Sequence, residues 1–350
     1  MFDQMAHKAS SWLTAEGDEA AVVLSSRIRL ARNIRGFTFP AYADPETRGN
    51  IVHFVRSAID KSKELDAGAF VSSDNVTEMQ RAFLIERHLI SPEFMRDQNA
   101  SGLYISPDEK IAIMVNEEDH VRIQSMSSGL SLMDTLNRAM RIDDDLANSL
   151  EFDYDTDFGF LTSCPTNVGT GLRASILIHL AGLVLTKEID SVIDHINKLG
   201  LVVRGFYGEG TDVWGNLFQI SNQTTLGRSE LDITESLEKI TRQIIEFENK
   251  SRDRLLTEAR DEIADKIWRA YGILRHARVL TSEEVMNLLS AVRLGAALKI
   301  LDKVSIATVN KLLILSQPAH LQRYMGVELS PSDRDIARAK LVRDTLAELP

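Results

Sequence analysis

Cysteine is almost missing from this chain: Cys164 is the only one in 350 residues. An internal disulfide is excluded, and a reducing cytoplasm is the expected compartment. Positive charge is in deficit, with a formal net charge of −11, so no basic footprint for nucleic acid or an anionic membrane is expected, although a local basic pocket stays possible. The first twenty residues lack the apolar core of a secretory signal. Long apolar runs are absent too. Residues 174–185 form the most apolar stretch, but His179 interrupts it and it is shorter than the ~20 residues a spanning helix needs. The eight histidines pair neither with each other nor with the cysteine, which argues against a zinc site. A Walker A loop, G-x-x-x-x-G-K-[ST], occurs nowhere.

What is present reads as a soluble globular protein, 44% hydrophobic and 26% charged, with ample material for a core. Residues 1–20 read as a loosely ordered tail. Alternation predicts strands over 22–30, 110–115, 121–126, 158–162, 201–206 and 213–220. Helical spacing predicts helices over 47–65, 130–146, 174–185 and 189–199. From Leu231 onward helical periodicity dominates. Thr281-Ser-Glu-Glu284 reads as a capping box, and Ser330-Pro331 with Asp333 as a helix start. The expected class is α+β, divided into a tail (1–20), a mixed catalytic-sized domain (21–251) and an all-helical domain (252–350).

Four stretches could carry chemistry. In Ser25-Ser26-Arg27-Ile28-Arg29 the two arginines project from one face of a strand. A solvated face with neighbouring acids explains them, and so does a polyphosphate site. Asn116-Glu-Glu118-Asp-His-Val-Arg122 is either a charged surface turn or a carboxylate aimed into a cleft. Arg204-Gly205-Phe206-Tyr207-Gly208-Glu209 opens a glycine-rich loop that fits a plain surface turn or a close backbone approach to a ligand. The fourth surrounds the cysteine. There Gly169-Thr-Gly171-Leu-Arg173-Ala174 matches a dinucleotide-binding turn, G-x-G-x-x-A, but Glu188 and Asp190 look like helix-start acids rather than a ribose ligand.

Together these blocks, with Cys164-Pro-Thr-Asn-Val-Gly-Thr170 the most specific, resemble in chain order the motif set of the phosphagen (guanidino) kinases. The resemblance implies an antiparallel sheet flanked by helices and transfer of the ATP γ-phosphoryl group to a guanidinium. It implies phosphate binding by Arg27, Arg29, Arg122, Arg173 and Arg204, with the flanking Ser25, Ser26, Ile28, Ala174, Ser175, Ile176, Leu177 and Gly205 to Glu209 in the nucleotide site and His88 beside it. Glu118 is expected as base, Glu209 as the opposing clamp, and Cys164, as a thiolate, as an orienter of the acceptor. Mg2+ is held through ATP, with no protein metal site.

Three departures refine the resemblance. The small-molecule enzymes carry a helical domain before the arginine strand, whereas 24 residues precede Ser25 here, which implies an open site. They also lack a helical segment corresponding to residues 252–350, and carry an additional arginine where Phe206 and Tyr207 stand. In these respects the chain is similar to the bacterial protein-arginine kinases. That likeness implies arginine-bearing protein substrates marked for Clp-type proteolysis in the stress response, a zinc-containing activator protein, a homodimer, and activation by phosphoarginine at Arg334, Asp335 and Arg338. A kinase of a free guanidino metabolite and a non-catalytic adaptor with a vestigial ATP site are the alternatives.

Overall fold

The computed structural model describes residues 1–65, 68–95, 100–206 and 214–348. Its centre is an eight-stranded sheet with every pairing antiparallel. In chain order the strands are β1 (Val23–Arg32), β2 (Ala69–Ser72), β3 (Gly102–Ile105), β4 (Ile111–Val115), β5 (Val121–Ser128), β6 (Tyr154–Asp155), β7 (Gly159–Phe160), β8 (Leu172–His179), β9 (Leu201–Arg204) and β10 (Leu217–Asn222). The sheet order is β2-β3-β4-β5-β1-β8-β10-β9, and β6 and β7 form a separate small hairpin. Helices before the C-terminal region are α1 (Phe2–His7), α2 (Pro45–Lys61), α3 (Glu78–Glu86), α4 (Leu132–Ala147), α5 (Ala181–Leu185) and α6 (Ile189–Lys198). The remainder is helical: α7 (Glu230–Glu258), α8 (Arg260–His276), α9 (Ser282–Ala297), α10 (Ile306–Leu315), α11 (Pro318–Met325) and α12 (Pro331–Ala347).

Side-chain alternation gives the sheet two unlike faces. On one, Ile28, Leu30, Ile123, Ala174, Ile176 and Ile220 join α2, α4 and the first half of α7 in a continuous apolar core. On the other, Leu24, Met126, Leu177 and Leu217 join α8, α9, α10 and α12 in a second core. The C-terminal helices therefore pack on the sheet itself rather than forming an isolated bundle. The boundary expected at residues 251–252 falls inside α7, which runs unbroken. Caps mark both helix starts, although at Thr281 the N-cap bond forms without the reciprocal Glu284 bond that a capping box would add. Ser330 Oγ accepts from Asp333 N, and Thr281 Oγ1 accepts from Glu284 N at 3.1 Å. None of the described helices is long and apolar enough to cross a membrane.

Several expectations need correction. Residues 174–185 are not one helix: β8 runs to His179 and only Ala181–Leu185 is helical. A central strand buried on both faces reads as an unbroken apolar run, which period alone cannot separate from a buried helix. Residues 1–20 are not a loose tail. Trp12 and Ala6 are wholly buried, and Ser10 Oγ donates to the carboxylate of Glu109 at 3.3 Å. The strand expected over 158–162 shrinks to Gly159–Phe160. The one expected over 213–220 is displaced to Leu217–Asn222, Val213 lying outside the described residues.

Candidate active site

A cleft of about 770 Å³ opens on the polar stretch of the second face. Register explains its chemistry. Arg29 on β1 stands opposite Arg173 on β8 and Gln124 on β5, and Arg27 stands opposite Ser175 and Met126. Arg122 pairs with Ala31 one step further along, and Arg204 on β9 pairs with Gln219 on β10. All five arginines line the cleft, with His88, Glu118 and Cys164.

At Arg27 and Arg29 the positive charge is under-compensated among the described residues. Arg27 donates to Gln219 Oε1 at 2.7 Å and Ser175 Oγ at 3.3 Å, both neutral. Burial, followed by the charges of Arg173 and Arg122, lowers its pKa to about 10. Arg29 is also held well below the ordinary guanidinium value, by burial and then by Arg27, Arg122 and Arg173, with Glu117 opposing. Its Nε is buried and finds no hydrogen-bond acceptor among the described residues. Two recessed guanidinia such as Arg27 and Arg29, crowded by further arginines, are costly unless an anion completes their surroundings.

The acids lie at one end, on the β4–β5 turn. Glu117 holds Arg122 at 2.6 Å and accepts from Ser91 Oγ at 2.6 Å. Burial alone would raise its pKa, but Arg122, Ser91 and the Glu118 amide outweigh it and keep Glu117 a carboxylate. Glu118 reaches Arg122 at 3.1 Å, and its pKa is raised, first by partial burial and then by Asp119 and Glu117, against the pull of Arg122. Cys164 sits at the start of a short 3₁₀ turn, its Sγ 3.0 Å from Thr166 Oγ1. His88, its ring against Trp12 and Phe206 at 5.2 and 4.9 Å, has a pKa lowered to about 3 by burial and then by Arg27. Its imidazole is neutral.

Other expected residues fall elsewhere. Ser25 and Leu177 line a small recess beside the cleft with Phe206. Ile28, Ala174 and Ile176 face the opposite, apolar core, and Ser26 Oγ is spent on Gly129 O at 2.8 Å. Tyr207, Gly208 and Glu209 lie outside the described residues. The glycine pair leads into strand β8 rather than a helix, so the dinucleotide reading loses its geometry. At the chain's end, Arg338 is buried, donating to Ser316 O and Leu280 O at 2.7 Å and to Asp335 at 2.5 Å. Arg334 and Arg338 share a helix side by spacing, yet Arg338 is turned inward and engaged. Gln219 and Glu117 are functional-face residues that sequence reasoning passed over. The alternation of β10 and the register of the acidic turn were their available signals.

Comparison with known proteins agrees with this geometry. The pattern of the ATP:guanido phosphotransferase C-terminal catalytic domain matches residues 50–251, and that of the protein-arginine kinase McsB C-terminal domain matches residues 260–350. A protein-arginine kinase of Pelotomaculum thermopropionicum is 44% identical, over 97% of both chains. One of Symbiobacterium thermophilum is 46% identical, again over 97% of both. Among solved structures, the duplicated taurocyamine kinase of Schistosoma mansoni, with bound transition-state-analog components, superposes with a TM-score of 0.61 at 27% identity, covering 67% of this chain and 34% of that one. A lombricine kinase gives 0.60 at 26% identity, covering 69% and 70%. By its arginine-lined antiparallel sheet, its motifs and its near-full-length relatives, the chain belongs to the ATP:guanido phosphotransferases and, within them, to the protein-arginine kinases.

Proposed function

We propose that the cleft transfers the γ-phosphoryl group of ATP to arginine side chains of proteins. The observation that supports this most is the set of five arginines gathered on one sheet face in a cleft that also holds Glu118 and Cys164, with Arg27 bonded to neutral groups alone and Arg29 Nε without an acceptor among the described residues. In this reading Arg27, Arg29, Arg122, Arg173 and Arg204 hold the phosphate oxygens. Phosphoryl transfer passes through a loose transition state with charge spread over those oxygens, so positioning and electrostatic stabilisation supply most of the rate. Mg2+ would enter on the nucleotide, where it offsets phosphate charge. Glu117 and Glu118 already lie on Arg122, and among the described residues no three His, Cys, Asp or Glu side chains converge as metal ligands.

The acceptor guanidinium is a poor nucleophile while protonated, so its proton must leave as its nitrogen attacks. Glu118 takes that proton; the N–P bond forms as the bond from the γ-phosphorus to the bridging oxygen breaks and ADP departs. A carboxylate with a raised pKa is a better base than an ordinary one. Cys164 faces the acceptor side and orients the guanidinium without a covalent intermediate. Glu209 is the proposed opposing clamp. Marking of clients for Clp-type proteolysis, a dimeric cytoplasmic form and regulation through residues 252–350 extend the proposal by family likeness. Engagement of Arg338 means that phosphoarginine activation through it has to displace its contacts with Ser316, Leu280 and Asp335.

The test is incubation of the chain with casein and labelled ATP. Acid-labile, hydroxylamine-sensitive label on arginine is expected. Acid-stable label on serine, or fast turnover on free arginine with none on protein, would overturn the proposal.

A further inference from the structure

The end of β1 also organises the acceptor side of the cleft. Beyond Arg29 the strand closes with Arg32 and continues into Asn33, and these two side chains reach both ends of the loop that carries Cys164. Asn33 is fully buried. Its Nδ2 donates to Asp119 Oδ1 at 2.7 Å and to Leu161 O at 3.0 Å, and its Oδ1 accepts from His120 N at 2.9 Å. Asp119, equally buried, accepts a second bond at the same Oδ1 from Ser163 N at 2.6 Å. Ser163 precedes Cys164, and Asp119 follows Glu118. One carboxylate oxygen therefore ties the peptide beside the base to the peptide beside the cysteine.

Arg32 holds the loop's far end. It donates to Thr170 O at 2.9 Å, its guanidinium carbon lies 3.5 Å from the centre of the Phe160 ring, and Asp143 on α4 fixes it at 2.6 Å. Neither Asn33 nor Asp119 lines the cleft. Asp119 Oδ2 is buried with no hydrogen-bond partner among the described residues. Stability alone offers no reason for a buried carboxylate with one oxygen idle, since burying an incompletely satisfied charge is expensive.

We infer that Asp119 and Asn33 are positioning residues for phosphoryl transfer, locking the turn of Glu118 to the loop of Cys164 and, with Arg32, registering both against the phosphate-binding strand. The inference rests on the acceptor-side roles proposed above for Glu118 and Cys164. Transfer is sensitive to placement, because a shift of ~1 Å in a reacting group costs about 10²-fold.

Asp119→Ala removes both bonds, Asp119→Asn keeps an accepting oxygen, and Asn33→Ala removes one arm. For each full-length variant, kcat and the KM for ATP are measured separately, together with the rate at which iodoacetamide alkylates Cys164. Asp119→Ala is expected to lower kcat by about 10²-fold while KM for ATP stays within about 3-fold. Alkylation of Cys164 should rise several-fold, and Asp119→Asn should recover most of kcat. A kcat near wild type in Asp119→Ala overturns the inference. So does a parallel loss of kcat and ATP binding with unchanged alkylation, because that marks a purely structural role. If Asp119→Ala does not fold, Asn33→Ala decides by the same readouts. Glu118→Gln and Cys164→Ser separate the two readings: full activity in both defeats the proposed roles, while alkylation of Cys164 in the Asp119 and Asn33 variants still reports on the clamp.

Discussion

Recessed arginines in two regions of this molecule have opposite surroundings. At the seam between the sheet and the C-terminal helices, Arg87 is held by Glu109 at 2.7 Å and lies 2.8 Å from His320, while Arg338 is held by Asp335 and two carbonyls. In the cleft, Arg27 meets neutral partners and other arginines, and Arg29 Nε meets no acceptor among the described residues. Seam arginines complete a packed structure; Arg27 and Arg29 are set against other arginines with no carboxylate bonded to them among the described residues. Burial by itself therefore does not distinguish a structural cation from a ligand-binding one. Partners do.

Removing one arginine from each region tests the contrast. Arg87→Ala strands the buried Glu109 carboxylate, and breaking a buried pair in this way costs about 3–5 kcal/mol. Chemical denaturation should show that loss, and stability within ~1 kcal/mol of wild type would erase the distinction. Arg29→Ala should behave in reverse. Transfer to casein should fall by about 10²–10³-fold, the usual effect of deleting one electrostatic contact to a transition state. Its melting temperature should hold or rise, because a like-charge repulsion is relieved. A melting temperature well below wild type would move Arg29 into the structural class.

Glu86 sharpens the seam further. It accepts from Ala319 N and His320 N at 2.9 and 2.7 Å, at the start of α11, and burial raises its pKa to about 7 despite these bonds and the nearby Arg338 and Arg334. An acid whose folded pKa is raised holds its proton more firmly when folded. Its contribution is complete below about 4.5 and is lost as pH rises through about 7. Relative to Glu86→Gln, wild-type stability should fall across that window by roughly 3 kcal/mol at most. Parallel pH profiles would contradict the assignment. The smallest effect belongs to a surface pair outside both regions. Arg269 and Asp265, 2.8 Å apart and exposed on α8, should be worth no more than about 0.5 kcal/mol on Arg269→Ala.

Much of the site was legible before the fold. Period-two alternation put Arg27 and Arg29 on one side of a strand, and the acidic turn and the cysteine loop stood out as local motifs. Their meeting was not legible, because Asp119 reaches Ser163 across a separation of 44 residues. Strand β8 was hidden because its residues beyond Arg173 are buried on both sides, so 174–178 read as one apolar run with no exposed polar side to reveal the period. Trp12 was misjudged for a related reason: it is buried against His88 and the seam, and nothing adjacent in sequence supplies that cover. Arg334 and Arg338 were correctly spaced on a helix, yet spacing gives the side and not what lies opposite it.

By itself, then, the sequence determined the local order: alternating strands, capped helices, and arginines, acids and one cysteine in blocks of defined spacing. Those features follow from backbone geometry and neighbours along the chain, which operate over a few residues. Tertiary structure decided which cations are spent and which are left for a ligand. It decided that Met5, Ala6, Trp12 and Leu13 belong to the core, and that Arg32, Asn33 and Asp119 join the cysteine loop to the acidic turn. Each of these depends on groups distant in sequence, whose contacts become definite once the apolar face of the sheet has been buried and the strand register fixed.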